Sequence, residues 1–174
     1  MKSEKLNKKL EKIKILVMDV DGTLTDGKVF YSGKGEEMKK FSLRDGMGIE
    51  LLRKGGIESA ILTSENSPIV QARAEKLKIE YVLLGSRNKK KHLENLAKNL
   101  SLNMDEVAYI GDDINDIFAI RSSGASACPA DAAEEVKKEV DYVCKTNAGD
   151  GAVREFCEMI LINQNKSIVL TENW

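Results

Sequence analysis

Two acids one residue apart close an apolar run at Asp19 and Asp21 in "VMDVDGTLTDG", and three more crowd "IGDDIND" at Asp112, Asp113 and Asp116. Between them along the chain stand Thr63 and Ser64, after "ESAIL", and Lys89, after "YVLLGSRN". Carboxylates gathered in one crevice repel one another unless a cation lies among them. A hard oxygen site with few protein ligands suits Mg²⁺, which keeps part of its water and bridges to a substrate phosphate. The chemistry is then phosphoryl transfer. Asp19 would attack phosphorus and form an aspartyl-phosphate, dividing one hard hydrolysis into two easier steps. Asp21, on the same side of an extended chain, would protonate the leaving alcohol and then activate water. Gly22 lets the backbone turn its N–H groups toward phosphoryl oxygens, while Thr63 and Lys89 supply further donors. Asp112 would hold the metal, with Asp113 and Asp116 orienting it from the inner or outer coordination sphere.

These residues meet only if they sit at the carboxyl ends of neighbouring parallel strands, where open α/β sheets bind ligands. The sequence pattern supplies such strands. Ser3 to Lys12 reads as a short helix with Ser3 as N-cap, and "KILVMDV" (14–20) as a continuous apolar strand buried on both faces. "KVFYSGKGEEMKKFSL" holds two β-prone halves, Lys28 to Tyr31 and Met38 to Leu43, about a turn at Ser32 to Gly35, and reads as a projecting hairpin over 28–42. Asp45 is expected to cap a helix that Gly55 and Gly56 stop, ahead of a strand over 58–63. Ser67 and Pro68 open the next helix as N-cap and N1. Strands at 81–84, 106–111, 125–128 and "DYVC" then alternate with helices at "KKKHLENLAKNL", after Asp116, at "AAEEVKKEV" and from Asp150. That alternation predicts an α/β fold with a parallel sheet.

At 174 residues with 42% apolar content, the chain predicts one domain around one core. Lys+Arg 27 against Asp+Glu 28 leaves a net charge of -1, so no overall field recruits nucleic acid or an anionic membrane. Cys128, Cys144 and Cys157 lack CxxC spacing and read as reduced packing residues. The apolar run before Asp19 is too short for a signal segment or a bilayer span, so a soluble cytoplasmic protein is expected. The tail over 164–174 has no evident packing partner.

Simpler readings compete at several positions. A calcium loop would need an acid or Asn where Thr23 stands and a Glu where Phe30 stands, so "DVDGT" is not one. "DxDG" and "GDD" each occur as ordinary turns and caps, and it is their combination after separate strands that carries weight. Spacing alone does not choose Lys89 over Lys90 or Lys91. His92 reads as a surface residue, and Glu65, Arg73 and Arg154 as cap or helix-surface charges.

With these motifs in order, the sequence resembles the haloacid dehalogenase superfamily of phosphatases: "DVDGT", Thr63, Lys89 and "GDDIND" match its four motifs. Over almost the whole chain it is similar to the small-subunit branch typified by 3-deoxy-D-manno-octulosonate (KDO) 8-phosphate phosphatase, through "VMDVDGTLTDG", "FSLRDGMGI", "VAYIGDDIND" and "GAVREFC". The resemblance implies a Rossmann-like three-layer sandwich, Mg²⁺ and a homotetramer. It implies Lys89 as the motif lysine, metal ligation by the Asp19 carboxylate, the Asp21 carbonyl and the Asp112 carboxylate, and outer positions for Asp113 and Asp116. Only positions 20–62, 43 residues, separate Asp19 from Thr63, which leaves no room for a cap domain. A neighbouring subunit's hairpin or tail is the expected cover. Residues of "SLRDG" (Ser42, Arg44, Asp45 and Gly46), with Ser64, Glu65 and Arg73, are the expected readers of a sugar acid, partly across that interface.

The sequence departs from the eight-carbon enzymes at two places: it has Ser64-Glu65 where they continue Gly-Arg, and Glu50 where a further Arg stands. A glutamate in place of a bidentate arginine reverses the local charge. Glu65 resembles the branch acting on nine-carbon acids, the keto-deoxynonulosonate (KDN) and N-acylneuraminate 9-phosphates, and the reading leans slightly that way. Two other classes remain as alternatives, a receiver-like phospho-acceptor module and a silent regulatory subunit. An acid/base at Asp21 argues against the first, because it hastens hydrolysis of a phosphoaspartate.

Overall fold

The structure, a computed structural model, describes residues 2–170 and 172. The elements in chain order are α1 (Lys2–Leu10), β1 (Ile15–Met18), β2 (Thr25–Ser32), β3 (Gly35–Phe41), α2 (Leu43–Lys54), β4 (Glu58–Leu62), α3 (Pro68–Leu77) and β5 (Tyr81–Leu83). There follow α4 (Lys89–Asn99), β6 (Val107–Ile110), α5 (Ile117–Ser122), β7 (Ala125–Cys128), α6 (Glu134–Glu139), β8 (Tyr142–Val143) and α7 (Ala152–Asn163). Six strands make one parallel sheet in the order β5-β4-β1-β6-β7-β8, and β2 pairs with β3 in a separate antiparallel ribbon. The α/β architecture expected from the alternation is therefore present, with helices on both faces of the sheet.

The apolar run of β1 has a direct cause. Successive strand side chains point to opposite faces, and both faces are covered. Leu16 and Met18 join Ile49, Leu52, Phe156 and Ile160 in one layer, whereas Ile15 and Val17 join Leu93, Tyr109, Ile120 and Val136 in the other. Each fully buried side chain of this kind contributes about 1.5–3 kcal/mol. In register, Met18 lies between Ile61 of β4 and Ile110 of β6, so the turns after these three strands emerge side by side.

Several boundaries differ from those the pattern predicts. The hairpin ladder begins at Thr25, which pairs with Phe41, and a register shift follows before Val29 pairs with Lys39. Helix α1 starts at Lys2, so Ser3 lies within it. Ser42, not Asp45, caps α2: its Oγ accepts the Arg44 N–H at 3.1 Å. Ser67 holds the N-cap position of α3 without a side-chain cap bond, because its hydroxyl donates to Glu36 of β3. The tail is tied to the body: Gln164 Nε2 donates to the carbonyls of Leu10 and Ile13, and Ile168 and Leu170 pack against the first layer. Residues 171, 173 and 174 of that tail lie outside the described residues. All three cysteines are free and buried, and among the described residues no helix is long and apolar enough to cross a membrane.

Asp45 caps a different helix from the one expected. It is 1% exposed in the first turn of α2, and its Oδ1 accepts the Arg154 N–H at 2.9 Å at the start of α7. Burial pushes its carboxyl up to about 6, against the pull of the Arg154, Gly151 and Val153 N–H groups. The folded protein thus keeps this proton to higher pH than the unfolded chain does, and the stability it lends in acid is lost as pH rises toward 6. Asn at this position has no such proton. The stability of the parent minus that of Asp45→Asn should therefore fall by roughly 1–2 kcal/mol between about pH 4.5 and 7. Urea melts at several pH values measure it, and a pH-independent difference would refute the assignment.

Candidate active site

Asp19 follows β1 and still donates its N–H to the Ile110 carbonyl of β6, so the ladder fixes its backbone. Its side chain is 6% exposed. Lys89, the first residue of α4, reaches it across the sheet: Nζ donates to Asp19 Oδ1 and to Asp116 Oδ1, both at 2.6 Å. Lys89 is buried whereas Lys90 and Lys91 are exposed. Burial works against its charge, but Asp19 and Asp116 outweigh that and hold its pKa up.

Asp116 is wholly buried and fully engaged. Besides Lys89, the Tyr109 hydroxyl donates to Oδ1 at 2.6 Å, and the N–H groups of Asp112 and Asp113 donate to Oδ2 at 3.0 and 3.2 Å. Its work is to hold the lysine and the turn after β6. Asp112 keeps more freedom: Thr23 Oγ1 donates to its Oδ1 at 3.0 Å. One carboxylate oxygen from each of Asp19, Asp112 and Asp116 lies within 4.8 Å of the others. Asp113, by contrast, is exposed and turns its side chain to the Ile114 N–H at 2.7 Å. Only its backbone serves the cluster.

One buried lysine stands beside three carboxylates, those of Asp19 and Asp116 buried and that of Asp112 half-buried, and the imbalance is visible in their acidities. Burial, and then the charge of Asp116, push Asp19 well above the usual carboxylate range and Asp112 up to about 7. A divalent cation would relieve this repulsion, and all three donors are hard oxygens. Gly22 makes room beside them. It sits at φ +88°, and a Cβ there would fall 2.1 Å from Asp112 Oδ2. The residues present fit a small, hard divalent ion, with Asp19 and Asp112 as the carboxylates that retain free lone pairs.

Thr63, 2% exposed after β4, accepts the Glu65 N–H at 3.2 Å, which leaves its hydroxyl proton to donate. Asn115 Nδ2 donates to Ser64 Oγ at 3.3 Å, drawing the turns after β4 and β6 together, while Glu65 stays exposed. Asp21 stands one step from the cluster. Its Oδ1 accepts Lys39 Nζ of the hairpin at 2.5 Å, and its Oδ2 is buried with no partner.

The remaining expected substrate readers form a second group. Arg73 donates to the Ser42 carbonyl at 2.9 Å and stacks on Phe41, with its cation 5.4 Å from the ring centre. Gly46 leaves space for that guanidinium, since a Cβ there would meet Nη2 at 2.9 Å. Arg44 is exposed, and Asp45 is spent on α7. Among the described residues, none of these side chains is hydrogen-bonded to the aspartates. A groove of about 610 Å³ between α2 and α3 is lined by Gly46 and Arg73, and a smaller cleft of about 360 Å³ opens beside Lys89. Arg154 pairs with Glu158 on its own helix and Glu50 with Arg53, as surface charges do. His92 is not the plain surface residue expected: it is half-buried, with Nδ1 2.5 Å from Ser86 Oγ. Sequence reasoning missed Lys39, Glu36 and Tyr109. Lys39 and Glu36 lie in a charged strand that reads as solvated, and Tyr109 reads as core.

A parallel sheet with a buried aspartate after its central strand, a paired lysine and further acids after the adjacent strand defines a hydrolase of the haloacid dehalogenase type. Residues 82–156 match the family model of haloacid dehalogenase-like hydrolases. A protein of Haemophilus influenzae named 3-deoxy-D-manno-octulosonate 8-phosphate phosphatase is 42% identical over 164 residues, 94% of this chain and 91% of that one. The Escherichia coli K12 protein of the same name is 38% identical over 158 residues, covering 91% and 84%. Among solved structures, the Moraxella catarrhalis phosphatase in complex with magnesium ion, phosphate ion and KDO superposes with a TM-score of 0.90 at 38% identity, over 93% of both chains. The cobalt-bound Haemophilus influenzae enzyme gives 0.89 at 43% identity, over 91% of this chain and 93% of that one. The chain belongs to the haloacid dehalogenase-like hydrolases, among the homologues of KDO 8-phosphate phosphatase.

Proposed function

We propose that the protein hydrolyses the terminal phosphate of a 3-deoxy-2-keto sugar acid in a Mg²⁺-dependent reaction, with Asp19 as nucleophile. The observation that carries this reading is the gathering of Asp19, Asp112 and Asp116 around one buried lysine at the ends of adjacent strands. Lys89 occupies Asp19 Oδ1, so Oδ2 is the oxygen that attacks phosphorus as the ester oxygen departs. Asp21 gives its proton to that oxygen, then takes one from the water that cleaves the aspartyl-phosphate, so each step balances. Thr63 and Lys89 donate to the phosphoryl oxygens as their charge redistributes. Bound by the Asp19 and Asp112 carboxylates and the Asp21 carbonyl, Mg²⁺ would neutralise charge on the phosphoryl group. Asp116 holds Lys89 in place, and Asp113 contributes its N–H.

The same reading assigns the hairpin to contact between subunits of a tetramer. Phe30, Tyr31 and Met38 are 58–71% exposed on it, an unusual cost for a lone chain. Ser42, Arg44, Gly46 and Arg73 would then serve a neighbour's site. Glu65 resembles the nine-carbon branch, and Ser64-Glu65 with the Glu50–Arg53 pair leave no free arginine where the eight-carbon enzymes clasp their acid group, so the assignment leans to a nine-carbon acid whose carboxylate is held elsewhere. The test is kcat/KM with Mg²⁺ on KDO 8-phosphate, KDN 9-phosphate and N-acetylneuraminate 9-phosphate. A nine-carbon substrate should lead by roughly 10-fold or more, with no phosphate released in EDTA. Preference for KDO 8-phosphate overturns the chain-length assignment, and release from none of the three overturns the reading.

A further inference from the structure

The hairpin contributes a group to the site that its sequence gives little reason to suspect. Lys39 lies in a ribbon whose other charged residues are mostly solvated, yet its own side chain is 1% exposed. Its ammonium touches two carboxylates, Asp21 Oδ1 at 2.5 Å and Glu36 Oε2 at 3.0 Å. Glu36 in turn accepts the hydroxyl of Ser67 at the start of α3. The chain Asp21–Lys39–Glu36–Ser67 therefore runs from the turn after β1, through the hairpin, to the turn that begins α3. No other cation contacts the Asp21 side chain among the described residues, and its second oxygen, Oδ2, is buried without a partner.

We propose that Lys39 is the positioning residue of the acid/base Asp21: its ammonium engages Oδ1 and fixes the rotation of the carboxyl group, which leaves Oδ2 as the oxygen available for proton transfer. The inference rests on the phosphatase reading and deepens it. A carboxyl group has two oxygens, and an ammonium donor engaging one of them leaves the other available for the proton. Proton transfer to a departing alcohol requires the remaining oxygen within hydrogen-bond reach, and small displacements there are costly. Glu36 acts one step further out. It holds the ammonium through its Oε2, and Ser67 holds Glu36 through its Oε1. The arrangement makes proton transfer depend on the hairpin being seated against α3.

A positioning role of this kind differs from a phosphate contact in the substrates it affects. An alkyl ester leaves as a poor alkoxide and needs Asp21's proton, whereas 4-nitrophenolate leaves without help. The value of kcat/KM reports only steps up to departure of the leaving group, so later hydrolysis does not enter it. Lys39→Met should lower kcat/KM on the sugar-acid phosphate that the parent prefers by on the order of 10- to 100-fold, and on 4-nitrophenyl phosphate by no more than about 3-fold. Water activation also needs Asp21, so the variant should show a burst of 4-nitrophenolate near one equivalent per subunit. Glu36→Gln leaves the lysine in place, loosens its anchor and should show the same asymmetry in smaller measure; it carries the test if Lys39→Met fails to melt cooperatively. Equal losses on both esters would place Lys39 on the phosphoryl group or in the fold, and no loss on either would leave it idle. Both results overturn the proposal while the parent's turnover keeps the phosphatase reading intact. A parent that cleaves neither ester with Mg²⁺ removes that reading, and this inference with it.

Discussion

Asp19→Asn should lower kcat on any phosphate ester by at least roughly 10⁴-fold, with the folded structure retained. An amide oxygen is a poor nucleophile toward phosphorus, and Lys89, which contacts Asp19 Oδ1 at 2.6 Å, competes for the one oxygen the amide keeps. The fold should tolerate the change. Asp19 is buried, its carboxyl is pushed well above the ordinary range first by that burial and then by Asp116, and an uncharged isostere removes both penalties. It forfeits a charged hydrogen bond to Lys89 in exchange, so in EDTA the melting temperature should shift by only a few degrees. With Mg²⁺ the contrast sharpens. Ligand binding to the native state raises stability by mass action, so Mg²⁺ should raise the parent's melting temperature more than the variant's, because one of the two carboxylates with free lone pairs has become an amide. Phosphate release and thermal melts, each with and without Mg²⁺, check both halves. Turnover within 10-fold of the parent would remove Asp19 as the nucleophile.

The fold was largely readable from periodicity, and the reason is visible in β1. Four residues buried on both faces produce an unbroken apolar run, β6 repeats it, and β4 and β7 keep the same burial with only Ser59 and Ser126 among their buried positions polar, so the parallel sheet and its order of helices follow. Sequence could also place Asp19, Thr63 and Asp112 at strand ends, since that depends only on where a strand stops, whereas spacing leaves Lys89, at the start of α4, level with Lys90 and Lys91. It could not rank the acids by what else they touch. Asp113 and Asp116 look alike in "GDDIND", yet one faces solvent and caps its own turn while the other takes four hydrogen bonds. Asp45 illustrates the same gap. Local pattern puts an acid before a helix and suggests that it caps that helix, but the packing of α2 on α7 presents it with a nearer set of free N–H groups. Lys39 was hidden for a different reason: a two-stranded ribbon has no buried face of its own, so the one lysine it turns inward carries no periodic mark.

Lys89→Met tests the electrostatic frame of the site by two readouts that should move together. Lys89 Nζ is 2.6 Å from Asp19 and 2.6 Å from Asp116, and its side chain is 2% exposed. Removing a buried partner strands its counter-charges, which costs about 3–5 kcal/mol. Here two carboxylates are stranded, with Asp112 close by as a third. The loss should appear in full when the protein is melted in EDTA. Mg²⁺ supplies positive charge to the same carboxylates, so saturating Mg²⁺ should return part of the loss, and the variant should gain more from the ion than the parent does. Activity should not return with stability. The ammonium also donates to phosphoryl oxygens in the proposed reaction, and losing one such donor costs on the order of 10²- to 10³-fold in kcat. Methionine matches the length of the lysine stem and keeps the packing of α4 against the sheet, so a cavity does not confuse the result. Urea titrations in EDTA and in Mg²⁺, beside phosphate release in Mg²⁺, make the comparison. If the variant is as stable as the parent without the ion, Lys89 does not balance this cluster. The carboxylates must then share protons among themselves, which would leave Asp19 without its ionised, attacking form.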